Sequence, residues 1–185
     1  MTSNTLLVVI DDDISPDACL GRAVMLAKRL DADLSLFSAI FDPYVAGERF
    51  ADSSDLEAAK QAEIDARKDT LRGLAAPLRA DGLTVSIAVA WDEPLFEAIV
   101  RQAMRTKPRM VLRTNHYHSA LRRALFSNDD WNLLRTCPVP LYIVRADEKT
   151  PHTLSVAAAV DPPHAHDKPA DLAANILSAA KPLVN

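Results

Sequence analysis

An unbroken apolar run, Leu6-Leu7-Val8-Val9-Ile10, stops at Asp11 and is followed by Ser15-Pro16, a capping residue and a proline suited to the first turn of a helix. This feature constrains the fold more than any other. A strand with no polar alternation is buried on both faces, and such strands belong to parallel sheets covered by helices. The same alternation of strand and helix continues along the chain. Leu20, Val24, Ala27 and Leu30 share one helical face, and Leu34 to Phe41 reads as the second strand. A polar loop rich in Asp and Ser leads to a long helix over Leu56 to Ala80, which Gly73 and Pro77 should weaken or kink. Leu83 to Trp91 is the third strand. Pro94 opens a helix carrying Phe96, Ile99, Val100 and Met104. Met110 to Leu112 is a short fourth strand, Asn128 caps a short helix with Leu133 and Leu134, and Leu141 to Val144 is the fifth strand. Five strands with helices between them predict an α/β fold, an open five-stranded parallel sheet with right-handed crossovers, complete by about residue 146.

The rest of the chain looks like a second beginning. Thr153 to Asp161 echoes Thr5 to Asp11 at an offset of 148 to 150 residues, and a proline-bearing loop and a helix come after each. We expect residues 1–148 to form one domain. Residues 149–185 read as the partial start of a second, a strand and a helix (Ala170 to Ala180), after which the copy stops.

Composition narrows the function classes. Of the 185 residues, 49% are hydrophobic and 25% charged, enough for a packed core. The net charge of −4 argues against nucleic acid as a partner. Apolar stretches such as Leu154 to Val160 fall far short of the ~20 residues a membrane span requires. No basic region precedes the first strand, so a secretory signal is not expected. The two cysteines, Cys19 and Cys137, are no disulfide framework, and the expected location is cytoplasmic.

In an open parallel sheet, ligands sit beyond the carboxyl ends of the strands, where the strand order reverses. The candidate groups are therefore Asp11, Asp12 and Asp13 after the first strand, and the segment from Arg113 to Asn128 after the fourth. The aspartates suit a hard cation such as Mg²⁺, but equally a helix start. His116 and His118, two apart on a loop, offer two ligands for a zinc-type metal, with an aspartate of the triplet as a third. His164 and His166 repeat that spacing near Pro162, Pro163 and Pro169, where an exposed, semi-rigid loop is the simpler reading. Arg122 and Arg123 are candidates for an anion or, more simply, solvated charges. Cys19 reads as core, and Cys137, beside Pro138, lacks the partners of a nucleophile. No catalytic triad, carboxylate pair or Cys-x-x-Cys is present, so an enzyme is not expected.

The strand-Asp-helix opening, the stretch Trp91 to Ile99, the run Pro138 to Val144 and, most specifically, Ser127 to Arg135 resemble the universal stress protein family, in particular its tandem members. The resemblance implies a Rossmann-like sheet of the adenine nucleotide alpha hydrolase type, in strand order 3-2-1-4-5. ATP-binding members carry three spaced glycines and a hydroxyl residue after the fourth strand, so that backbone N–H groups can cradle phosphates. Here those positions are Thr114, Tyr117, Ser127 and Asn128. Asp11 matches the family's adenine-contacting aspartate. With the glycines absent and side chains at Thr114 and Tyr117 in the phosphates' place, the resemblance implies a stress-response protein that does not bind ATP, needs no cofactor and acts through protein contacts. An ATP-binding or slowly ATP-hydrolysing module and a zinc-binding domain through His116 and His118 are the alternatives. The family also pairs through the fifth-strand edge, here Leu141, Tyr142, Ile143 and Val144, so a homodimer is expected. The apolar face of the last helix (Leu172, Ile176, Ala179) also needs cover, from a second copy or from the chain itself.

Overall fold

The computed structural model describes residues 3–46, 53–115, 128–149, 155–159 and 171–184. The elements run β1 (Thr5–Val9), α1 (Asp17–Leu30), β2 (Asp33–Ile40), α2 (Pro43–Ala46), α3 (Ser53–Ala80), β3 (Val85–Trp91), α4 (Leu95–Thr106), β4 (Met110–Asn115), α5 (Asn128–Thr136), β5 (Leu141–Arg145) and α6 (Leu172–Val184). All strand pairs are parallel, in the order β3-β2-β1-β4-β5. This is the expected topology.

The period-2 alternation of β1 explains the layering. Leu6 and Val8 join Leu34, Leu36 and Leu112 beneath Ala23 and Leu26 of α1 and Leu71 and Ala75 of α3. Leu7 and Val9 turn the other way, with Phe37 and Val111, against Ala98 and Ile99 of α4 and Leu133 of α5. Leu6, Leu7 and Val8 are fully buried, which is why this strand tolerates no polar residue. Each contributes roughly 1.5–3 kcal/mol through burial.

Several boundaries differ from expectation, each for a physical reason. The fourth strand continues through Arg113, Thr114 and Asn115, which pair with Ile143, Val144 and Arg145 of β5. A charged residue after Met110-Val111-Leu112 reads as a strand end, but Arg113 finds acidic partners inside the fold. The loop after β2 contains the short helix α2. The long helix α3 runs unbroken through Gly73 and Pro77. Leu71 and Ala75, both fully buried, anchor it to the sheet on either side of Gly73. The strand predicted over Thr153 to Asp161 is absent from its described part: Ser155 to Ala159 are exposed and belong to no strand. An apolar sequence becomes a strand only where a ladder partner exists. The helix expected over Ala170 to Ala180 begins and ends later, at Leu172 and Val184. It lies on the chain's own surface: Arg29 of α1 donates from Nη1 to the Leu183 carbonyl at 2.6 Å.

Candidate functional site

The carboxyl ends of β1 and β4 lie side by side, and the strand order reverses between them. Asp11 comes after β1 and continues its alternation, so its side chain falls on the face of Leu7 and Val9. On β4, Arg113 falls on that face too. The Arg113 guanidinium approaches Asp11 Oδ2 from Nε at 3.2 Å and donates from Nη1 to Asp130 Oδ1 of α5 at 2.7 Å. All three side chains are buried: 3% of Arg113, 9% of Asp11 and 4% of Asp130 remain exposed. One cation between two carboxylates thus ties β1, β4 and α5 together beneath the crevice.

A second arginine closes the neighbouring gap. Arg67 comes from α3, donates from Nε to Ser38 Oγ (2.8 Å) and from Nη2 to the Ile10 carbonyl (2.9 Å), and pairs through Nη1 with Asp12. It bridges the ends of β1 and β2, and its side chain is 10% exposed.

Thr114 does not stand in a crevice loop. It is buried within β4 and, opposite in facing to Arg113, makes a hydrogen bond with Cys19 of α1. The reading in which its side chain fills the phosphate space is therefore corrected: the alternation of a strand turns Thr114 toward α1. Burial pushes the Cys19 thiol up to about 12, opposed by the Thr114 hydrogen bond and reinforced by the negative charge of Asp11. Cys19 is thus a core thiol, as expected. Burial also raises the Cys137 thiol, against a backbone hydrogen bond at Val139.

Beyond the arginines lies an open cleft of about 530 Å³. Phe41 and Trp91 form its aromatic wall, with ring centroids 6.1 Å apart at 55°. Asp11, Asp12, Asp13, Asp42 and Glu63 line it together with Ala39, Ile40, Pro43 and Leu95. Of these, Asp11 and Asp12 are already paired with Arg113 and Arg67.

Of the sequence-predicted site residues, Asp11 and Thr114 are placed, and they diverge to opposite faces of the sheet. Asn128 begins α5. His116, Tyr117, His118, Arg122, Arg123 and Ser127 lie outside the described residues, as do His164 and His166. Among the described residues no three His, Cys, Asp or Glu side chains converge as a metal site. The aspartate triplet accordingly forms no cation cage there: Asp11 and Asp12 face different arginines.

Sequence reasoning missed Arg67 and Asp130, and it had Arg113 only as the first residue of a candidate segment, without its carboxylate partners. The available signal was an arginine set directly against an apolar strand, and an aspartate in the segment that most specifically carried the family resemblance. It also missed Arg22 of α1. That residue is buried, pairs with Glu148 just after β5, and stacks its guanidinium 5.6 Å from the Tyr142 ring centre.

The universal stress protein family model matches residues 2–145. Universal stress protein E of Salmonella typhi is 30% identical over 140 residues, covering 76% of this chain and 44% of the relative. The chain thus spans under half the length of that relative. A solved protein of unknown function from Pseudomonas aeruginosa PAO1 aligns at a TM-score of 0.64 and 24% identity, over 98% of this chain and 58% of its own. The universal stress protein of Archaeoglobus fulgidus in complex with dAMP aligns at 0.51 and 15%, over 78% of this chain and 99% of its own.

Proposed function

The chain belongs to the universal stress protein family, and from that premise we propose that it is a cytoplasmic stress-response member that binds no ATP, catalyses no reaction and acts through protein contacts. The single observation that carries this reading is the buried Asp11–Arg113–Asp130 cluster. The aspartate that the family offers to adenine is engaged by an internal guanidinium. Displacing it removes one of the two carboxylates that hold the buried Arg113, a cost that a nucleotide would have to overcome. Asp13 and Glu63 at the mouth add repulsion against phosphates.

The opposing reading, a nucleotide-binding module, draws on the dAMP complex of the Archaeoglobus fulgidus protein. Thermal unfolding with ATP, with zinc and with chelator separates the possibilities. At 100 times its dissociation constant a ligand stabilises by about 2.7 kcal/mol, a shift of roughly 5–10 °C for a chain this size. We expect no shift with ATP. A shift that disappears in Asp11→Ala would establish the nucleotide reading instead. A zinc-dependent shift, reversed by chelator and absent in His116→Ala, would establish the metal reading.

The partner surface in this proposal is the outer edge of β5, where Leu141 to Val144 offer unpaired backbone groups to a second copy. Residues 149–185 remain, in this reading, the opening of a second domain, as the greater length of the Salmonella relative suggests.

A further inference from the structure

We propose that Arg22 and Tyr142 form a binding site for a carboxylate, and that Glu148 occupies it as the chain's own ligand. Arg22 comes from α1 and leaves only 2% of its side chain exposed. Its guanidinium lies over the Tyr142 ring of β5, 5.6 Å from the centre. The ring covers one face of the cation and leaves the N–H edges for an acceptor.

The acceptor in place uses half of one edge. Nη2 donates to Glu148 Oε1, while Nε, on the same edge of the guanidinium, is buried with no hydrogen-bond partner among the described residues. Arg145, in the last position of β5, shows such an edge filled: its Nε and Nη2 donate to the two oxygens of Asp147 at 3.1 and 2.8 Å. Paired bonds of this kind are the strong form of arginine recognition, because the planar fork matches the two oxygens of one carboxylate. Arg22 is therefore a two-point receptor with one point in use. A buried donor left unpaired costs free energy that a better-placed acceptor recovers.

Glu148 is also a displaceable ligand. It stands in the turn after β5, where its N–H bonds to the Arg145 carbonyl at 3.0 Å, and its side chain is 37% exposed. A cation in the core thus depends for its neutralisation on a partly exposed side chain from a turn. When that side chain swings out, it leaves a guanidinium edge and an aromatic wall open to solvent on one side. This suits a small organic acid in its ionised form. Docking of Glu148 and binding of such an acid exclude each other, so the acid biases the position of the turn. The site uses neither the crevice nor the backbone groups of the β5 edge, and it stands independently of both.

Thermal unfolding of Glu148→Ala in sodium acetate, against sodium chloride at equal concentration, tests the site. The substitution removes the atoms of an acetate, so free acetate can take their place. Glu148→Ala should melt below the wild type in chloride and recover most of that loss in acetate, along a saturating curve. The wild type, whose site is filled, should show no such gain. Nor should Arg22→Met combined with Glu148→Ala, which removes the receptor and keeps its stem. Acetamide, uncharged and of the same shape, should leave all three unmoved. An acetate gain of equal size in all three proteins, or no gain in any, overturns the site, since a plain ion pair predicts only the loss. A Glu148→Ala chain as stable as the wild type in chloride overturns it as well. Should Glu148→Ala fail to fold in chloride, refolding followed by circular dichroism decides: recovery in acetate but not in acetamide supports the site, and any other result overturns it.

Discussion

Arg113 sits in a hydrogen-bonded strand with 3% of its side chain exposed. Its charge is tolerable there because Asp11 and Asp130 reach it from a loop and a helix. Removing a partner is then far more damaging than the modest net worth of the pair suggests. Asp130→Ala should lower stability by roughly 3 kcal/mol, read as a fall in the urea midpoint. A change below half of that would mean that water or another group already shares the charge. Cys19 gives a second test, through pH. Its folded-state pKa is raised from 9.0 to about 12. The stability tied to the neutral thiol is therefore complete below pH 9 and is lost as pH rises toward 12, where the unfolded chain ionises and the folded one does not. Over that window the folding equilibrium should fall by up to about tenfold per pH unit. The difference between wild type and Cys19→Ala in alkaline urea titrations isolates this contribution; a constant difference from pH 8 to 11 would contradict it.

At the scale of elements, two helices end on residues with left-handed backbone. Asp31 after α1 has φ 49° and Lys107 after α4 has φ 48°, and each N–H closes the last turn, onto Ala27 O and Ala103 O. Neither is glycine, and an L-residue in this region carries a steric cost that glycine lacks. Lys107→Gly should raise stability by about 1 kcal/mol, measured by thermal or chemical unfolding. A loss would show that the lysine side chain makes compensating contacts. The helices also show where sequence reading works. α1 and α4 follow from their spacing of apolar residues, because one face is buried and the other wet. β4 does not, since its last three residues are polar and are held by contacts with β5 and α5 rather than by their own hydrophobicity.

For the whole molecule, both ends of the sheet matter. The crevice end is crossed by two arginines, and the opposite end is covered by α6. The outer edge of β5 begins after Pro138 and Pro140, which lack N–H groups and limit pairing to the strand beyond them. If two copies join at that edge, Ile143→Lys should shift the sedimentation profile toward monomer, since a charge on an edge strand opposes pairing. An unchanged dimer would move the interface elsewhere.

The parallel sheet, its order of elements and the burial of β1 were determined by the sequence, because hydrophobic periodicity is local and each segment declares which of its faces must leave water. The state of the crevice was decided only by tertiary structure. Arg113 meets Asp11 across 102 positions, Arg67 meets the Ile10 carbonyl across 57, and Arg22 meets Glu148 across 126. Nothing in the neighbourhood of any of these arginines along the chain names its partner. A guanidinium is recognisable as a residue, but what it neutralises depends on which strand ends the fold brings together.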